Sequence, residues 1–153
     1  MADGAYSRKV EDYLEVILNV IEDKGYARIK DISKAMGVSP PSVVEMARKL
    51  DREGLVRYRK YDGITFTRKG VQVAKRIKDR HETIRRFLEI LNVPSDIANK
   101  DACTIEHHLD PRTLDQLKKF IRFIEEAPSD PKWLNHFKTF CKTGSHTCKT
   151  KKV

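Results

Sequence analysis

Two short alternating runs, Leu55 to Tyr61 and Ile64 to Thr67, flank Asp62-Gly63, and they constrain the fold more than any other feature of this chain. Both runs are rich in β-favouring residues, and Asp-Gly between them is a strong hairpin signal. The pattern around this hairpin is helical. Val10, Tyr13, Leu14, Ile17, Leu18 and Ile21 recur at helical spacing from Tyr6 to Asp23, and Lys24-Gly25 ends that run. Ala27 to Ile29 reads as a brief strand or turn, and Asp31 to Met36 as a short helix closed by Gly37. Ser39-Pro40-Pro41-Ser42 opens the next helix, with Ser39 as N-cap and proline in the first turn, and it runs to Gly54. Thr67 caps a long helix from Arg68 to Leu91. Pro94-Ser95 and Asp110-Pro111 open two more, and Trp133 to Phe140 reads as a short last one.

Helix, short helix, glycine-containing turn, helix and hairpin follow the order of a winged helix-turn-helix. The expected fold is therefore mainly α with a small β-hairpin. It has a winged helix-turn-helix over residues 1–70, a helical module over 71–140 and a basic, flexible tail over 141–153. The second module carries more apolar surface than a short unit can bury. Val71, Val73, Ala74, Ile77, Ile84, Phe87, Leu88 and Leu91 form one stripe, and Leu114, Leu117, Phe120, Ile121 and Ile124 form another. That excess predicts a homodimer.

The net charge of +9 is unevenly placed. Residues 1–23 carry 2 basic and 6 acidic groups, whereas 24–69 carry 12 basic and 5 acidic. The tail from 138 adds 5 lysines and no acid. The basic excess falls on the helix-turn-helix and the tail, as a polyanionic partner such as double-stranded DNA requires. On the helix from Ser39, the groove-facing candidates are Ser39, Pro40, Pro41, Ser42 and Glu45, with Arg48, Lys49 and Arg52 placed for phosphates. Arg57, Arg59, Lys60 and Tyr61 belong to the wing. No apolar run approaches the roughly 20 residues needed to span a bilayer, and no signal peptide is evident, so a cytoplasmic location without a membrane role is expected. The 3 cysteines argue against a disulfide framework. No H-E-x-x-H, nucleophile elbow or glycine-rich phosphate loop points to an enzyme.

Potential metal ligands are spread along the chain. Asp12 and Glu15 are three apart, and Cys103, Glu106 and His107 have i, i+3, i+4 spacing, so each set shares one helix face; His81 lies between them. Carboxylates, imidazoles and a thiol together can hold a transition-metal ion. Each has a plainer reading: solvated helix charges for Asp12 and Glu15, a surface residue for His81, a small buried hydrophobe for Cys103. His108 reads as structural or as a support to the ligands. His136, Cys141, His146 and Cys148 near the C-terminus match no closed four-ligand pattern.

Tyr13-Leu-Glu15, Gly25-Tyr-Ala-Arg28, Val38-Ser-Pro40, Lys49-Leu50, Gly54-Leu55 and Ile105-Glu-His-His-Leu109 resemble the diphtheria toxin repressor family, and most of all its short manganese transport regulator branch. The resemblance covers roughly residues 8 to 125. It implies a dimeric repressor of metal homeostasis genes that binds operator DNA when loaded with Fe(II) or Mn(II), with Co(II) or Zn(II) as substitutes. It also implies Asp12, Glu15, His81, Glu106 and His107 as ligands. At Cys103 the chain departs from the manganese branch, which has Glu there, and follows the iron branch, whose Met is in turn replaced here by Asp12. Arg85 stands where both branches place an acid, so the resemblance implies a reduced ancillary site or a different arrangement of two ions. The alternative is a winged-helix regulator that answers to an organic ligand or to oxidation of Cys103.

Overall fold

The computed structural model describes residues 6–147. Its elements are α1 (Arg8–Lys24), α2 (Ile29–Met36), α3 (Pro40–Arg52), β1 (Val56–Arg59), β2 (Gly63–Phe66), α4 (Arg68–Ile90), α5 (Ser95–Ile105), α6 (Pro111–Glu125) and α7 (Lys132–Thr143). The order is that of a winged helix-turn-helix followed by a helical domain. Two compact units result, Met1–Arg80 and His81–Val153, and α4 supplies residues to both.

In the first unit the apolar stripe of α1 (Val10, Tyr13, Leu14, Ile17 and Leu18) is buried against Ile32 of α2, Val43, Ala47 and Leu50 of α3, and Val73, Ala74 and Ile77 of α4. Helices this short are marginal alone, and the shared core is what holds them. Capping sets their limits. The Ser7 hydroxyl accepts from the Val10 amide at 3.4 Å, and the Ser39 hydroxyl accepts from the Ser42 amide at 3.4 Å with proline in the first turn.

The hairpin forms where the sequence places it, with a different turn. The connection is Lys60-Tyr61-Asp62, and Gly63 lies inside β2 opposite Arg59. The reason is a third piece of backbone. Ala27 forms a bridge to Ile64, whose amide donates to the Ala27 carbonyl at 2.8 Å. Gly63 has φ +89, and a Cβ there would lie 2.4 Å from the Ala27 oxygen. Only glycine satisfies both demands, so Gly63 serves the approach of Ala27 as well as the turn.

The second unit has a small interior: Ile84, Ala98, Ala102, Ile121 and Leu134 are its buried apolar residues, beside the buried His81, Thr83 and Glu106. Phe87, Phe120 and Trp133 pack in a row, with centroid separations of 5.9 and 6.1 Å. Leu91 of the first sequence stripe is exposed, and so are Ile97, Phe123, Trp133 and Phe140, which lie outside both stripes. Two boundaries differ from the sequence pattern. Helix α5 stops at Ile105, so Glu106 and His107 lie beyond its last turn. Helix α7 continues past Phe140 to Thr143.

At the start of α4, the Thr67 hydroxyl donates to the Gly54 carbonyl at 2.7 Å and accepts from the Gly70 amide at 3.0 Å. Gly70 then passes so close to Leu55 that a Cβ would fall 1.6 Å from the Leu55 carbonyl oxygen. Backbone on both sides leaves no flexible atom to give way. Gly70→Ala is therefore expected to cost about 3 kcal/mol, near the upper end for forced overlap, even though alanine is the better helix former. Urea denaturation measures this, with the exposed neighbour Lys69→Ala as the control that stays within about 0.5 kcal/mol of wild type.

Candidate metal centre and DNA-binding face

His81, Cys103, Glu106 and His107 come together within the second unit. His81 is carried by α4 and Cys103 by the last turn of α5. The expected single helix for Cys103, Glu106 and His107 is cut short, because Asp110 and Pro111 open α6 and the chain must turn before them. Glu106 keeps helical angles (φ −56, ψ −30) as the C-cap, and its amide still bonds the Ala102 carbonyl at 3.0 Å. It therefore stays in phase with Cys103, while His107 lies in the following turn.

The Glu106 side chain is wholly buried. Its Oε2 lies 2.9 Å from His81 Nδ1. Its Oε1 is 3.4 Å from His107 Nε2 and has no hydrogen-bond partner among the described residues. The Cys103 thiol lies 3.7 Å from the same His81 Nδ1. An unsatisfied carboxyl oxygen in a dry site costs on the order of 1–3 kcal/mol or more. Two imidazoles, a thiol and a carboxyl group around such an atom are a donor set that fits a divalent transition-metal cation.

The sequence reading passes over one member of this group. Asn99 Oδ1 lies 2.8 Å from His81 Nε2. Asn99 precedes Cys103 by four residues on α5 and shares its face, but without the partner helix nothing connected Asn99 to His81.

Asp12 and Glu15, the other two expected ligands, belong to the first unit. Both are half-buried and lie one turn apart on α1. Beside them Glu11 is buried and takes a 2.7 Å ion pair from Arg80. Arg85, the cation at an expected acid position, is held at 2.7 Å by both Glu82 and Glu89. The hydrogen bond to Glu82 is the main reason its guanidinium pKa is raised above the ordinary arginine value.

Of the expected DNA contacts, the N-cap Ser39 and Pro40, Pro41, Ser42, Glu45, Arg48 and Lys49 of α3 are exposed. A shallow depression on the same helix is lined by Pro40, Pro41, Val44, Glu45, Arg48 and Arg52, of which Val44 was not anticipated. The Asp51 carboxylate accepts from the Tyr58 amide at 2.9 Å, tying the end of α3 to the wing. Arg57, Arg59 and Lys60 of the wing are exposed, and the Lys60 ammonium lies 5.6 Å from the centre of the Tyr61 ring. Tyr13 is buried beneath this region, and burial first and the Glu45 charge second push its phenol up. Near the C-terminus, Cys141 is exposed in the last turn of α7 and His146 stacks on Phe140 at 4.7 Å. Cys148 lies outside the described residues.

No helix among the described residues is long and apolar enough to cross a membrane. Residues 5–64 match a family model described as iron dependent repressor, N-terminal DNA binding domain. Residues 67–135 match the corresponding metal binding and dimerisation domain. The HTH-type transcriptional regulator MntR of Lysinibacillus sphaericus is 40% identical over 130 residues, which cover 85% of this chain and 94% of that protein. MntR of Bacillus subtilis is 41% identical over 117 residues, 76% of this chain and 82% of its own. The structure of the manganese regulator SloR superposes with a TM-score of 0.64 at 34% identity, over 74% of this chain and 54% of SloR. The chain thus spans about half the length of that solved relative.

Glu106→Gln tests the centre directly. A neutral amide costs less to bury than a carboxylate, so the metal-free variant is expected to gain about 1 kcal/mol of stability. It should lose the rise in melting temperature expected of the wild type with Mn(II). Thermal melts with and without Mn(II) measure both, and a wild-type-sized rise in the variant would remove Glu106 from the centre.

Proposed function

The chain belongs to the iron-dependent repressor family and is a metal-dependent transcriptional repressor acting in metal homeostasis, and from that premise we propose which residues hold the cation and which meet the operator. The ligands are Asp12, Glu15, His81, Cys103, Glu106 and His107. The observation that carries the assignment is the buried Glu106 carboxyl, with one oxygen unpartnered and His81, His107 and Cys103 around it. When bound, the cation supplies a positive charge that donors from α1 and from the second unit can share. Without that charge, the carboxylates of a segment bearing 6 acids and 2 bases repel one another. Asp12 and Glu15 belong to the domain that carries α3, so their engagement governs how the DNA-binding face is presented. A dimer must offer its two α3 helices about 34 Å apart to meet successive major grooves. A hundredfold change in operator affinity requires only about 2.7 kcal/mol of differential binding.

The cation is Fe(II) or Mn(II). Hard carboxylates favour Mn(II), the metal that the description of SloR as a manganese regulator attaches to that protein, and the Cys103 thiolate favours softer ions. The half-buried thiol faces the His81 nitrogen that also faces Glu106, which supports its role as a ligand. Operator DNA lies along α3, with Ser39, Pro40, Pro41, Ser42 and Glu45 at base edges and Arg48 and Lys49 at phosphates. Arg57, Arg59 and Lys60 of the wing hold the flanking backbone. The protein works as a homodimer in the cytoplasm, where its DNA is. Its relatives are transcriptional regulators, and no catalytic step is proposed.

Two experiments test this reading. With Cys141 and Cys148 changed to Ser, Co(II) is expected to give a thiolate-to-metal absorption band in the near ultraviolet, and Cys103→Ser should abolish it. A band that persists without Cys103 would exclude the thiol from the centre. In the DNA-binding assay, Lys60→Ala should weaken binding to all sequences alike and reduce the slope of log K against log salt by about 1. An unchanged slope would place Lys60 away from phosphate.

A further inference from the structure

We propose that Asn99 is a positioning residue that decides which nitrogen of His81 faces the cation; the inference rests on the ligand role of His81 argued above. A neutral imidazole carries one N–H and one lone pair, and only the lone pair can bind a metal. The Asn99 amide oxygen, 2.8 Å from His81 Nε2, can only accept. It therefore holds a ring hydrogen on Nε2, so that a cation binds at Nδ1 by displacing the proton that this nitrogen shares with Glu106 Oε2. That is the nitrogen with Glu106 Oε2 at 2.9 Å and Cys103 Sγ at 3.7 Å. The ring is gripped at one end by α5 through Asn99 and presented at the other end to donors at the end of the same helix.

Two further observations favour this role over a merely structural one. Asn99 is exposed and mid-helix, where asparagine is a poor helix former and packing asks for nothing polar. Asn99 and Cys103 also share one face of α5, so a single helix supplies the thiol and sets the imidazole. Partners that fix the far nitrogen of a ligating histidine change metal affinity by about 10- to 100-fold.

The test uses the full-length chain with 15N-labelled histidine, loaded with diamagnetic Zn(II), beside Asn99→Ala and Asn99→Asp. In the wild type, long-range 1H–15N spectra should show His81 metal-bound through Nδ1, with a slowly exchanging Nε2–H. Asn99→Ala should speed the exchange of that proton and weaken Zn(II) and Mn(II) binding about 10- to 100-fold in a chelator competition, with the melting curve of the metal-free chain unchanged. Asn99→Asp keeps the accepting oxygen and should restore both the protected proton and the affinity. Wild-type affinity and exchange in Asn99→Ala, or binding of wild-type His81 through Nε2, would overturn the proposal. A His81 that shows no metal contact in any of the three proteins would instead overturn its place among the ligands, which is a separate failure.

Discussion

The first unit depends on one meeting of backbones, where Leu55 at the end of the α3 segment touches the start of α4. The Leu55 carbonyl accepts the Thr67 amide at 3.2 Å and has Gly70 pressed against it, while the Thr67 hydroxyl reaches back to Gly54. These bonds close the hairpin at its base and attach the wing to α4. With Asp51 holding the Tyr58 amide, they fix the exposed side of α3 relative to the wing. The exposed side of α3, proposed as the DNA-binding face, is thus tied to the wing by main-chain groups together with the Asp51 carboxylate and the Thr67 hydroxyl.

The second unit is organised around a cost. Its interior is small, and among its buried groups is a carboxyl one of whose oxygens makes no hydrogen bond among the described residues. A fold chosen for stability alone would not keep that group. Its presence, with two imidazoles and a thiol close by, is the observation on which the proposed metal site rests. Among the described residues, this region carries fewer buried apolar residues than the first unit and leaves Ile97, Phe123, Trp133 and Phe140 exposed.

The helix order, the hairpin and the caps at Ser39, Thr67 and Asp110 were legible in the sequence, because spacing and capping chemistry are local. What escaped was set by contacts between distant segments. The turn at Asp62-Gly63 is longer than the dipeptide suggests because Ala27 approaches Gly63. The need for glycine at position 70 appears only once Leu55 is seen against it. At the centre, Cys103, Glu106 and His107 stood out by spacing and His81 by resemblance. Asn99 did not, because an asparagine on a helix surface carries no signal until its partner on α4 is known. Helix α5 ends early because Pro111 sets the start of α6, an effect of the next element on the one before.

The row of Phe87, Phe120 and Trp133 has a practical corollary. The chain contains a single tryptophan, and it lies in the second unit, stacked within that row and partly open to solvent. Intrinsic tryptophan emission is therefore a private channel to that unit. Its colour and quenching follow the aromatic row and whatever covers it. The molecule thus carries its own optical label on the half where metal and partner subunit are expected to act.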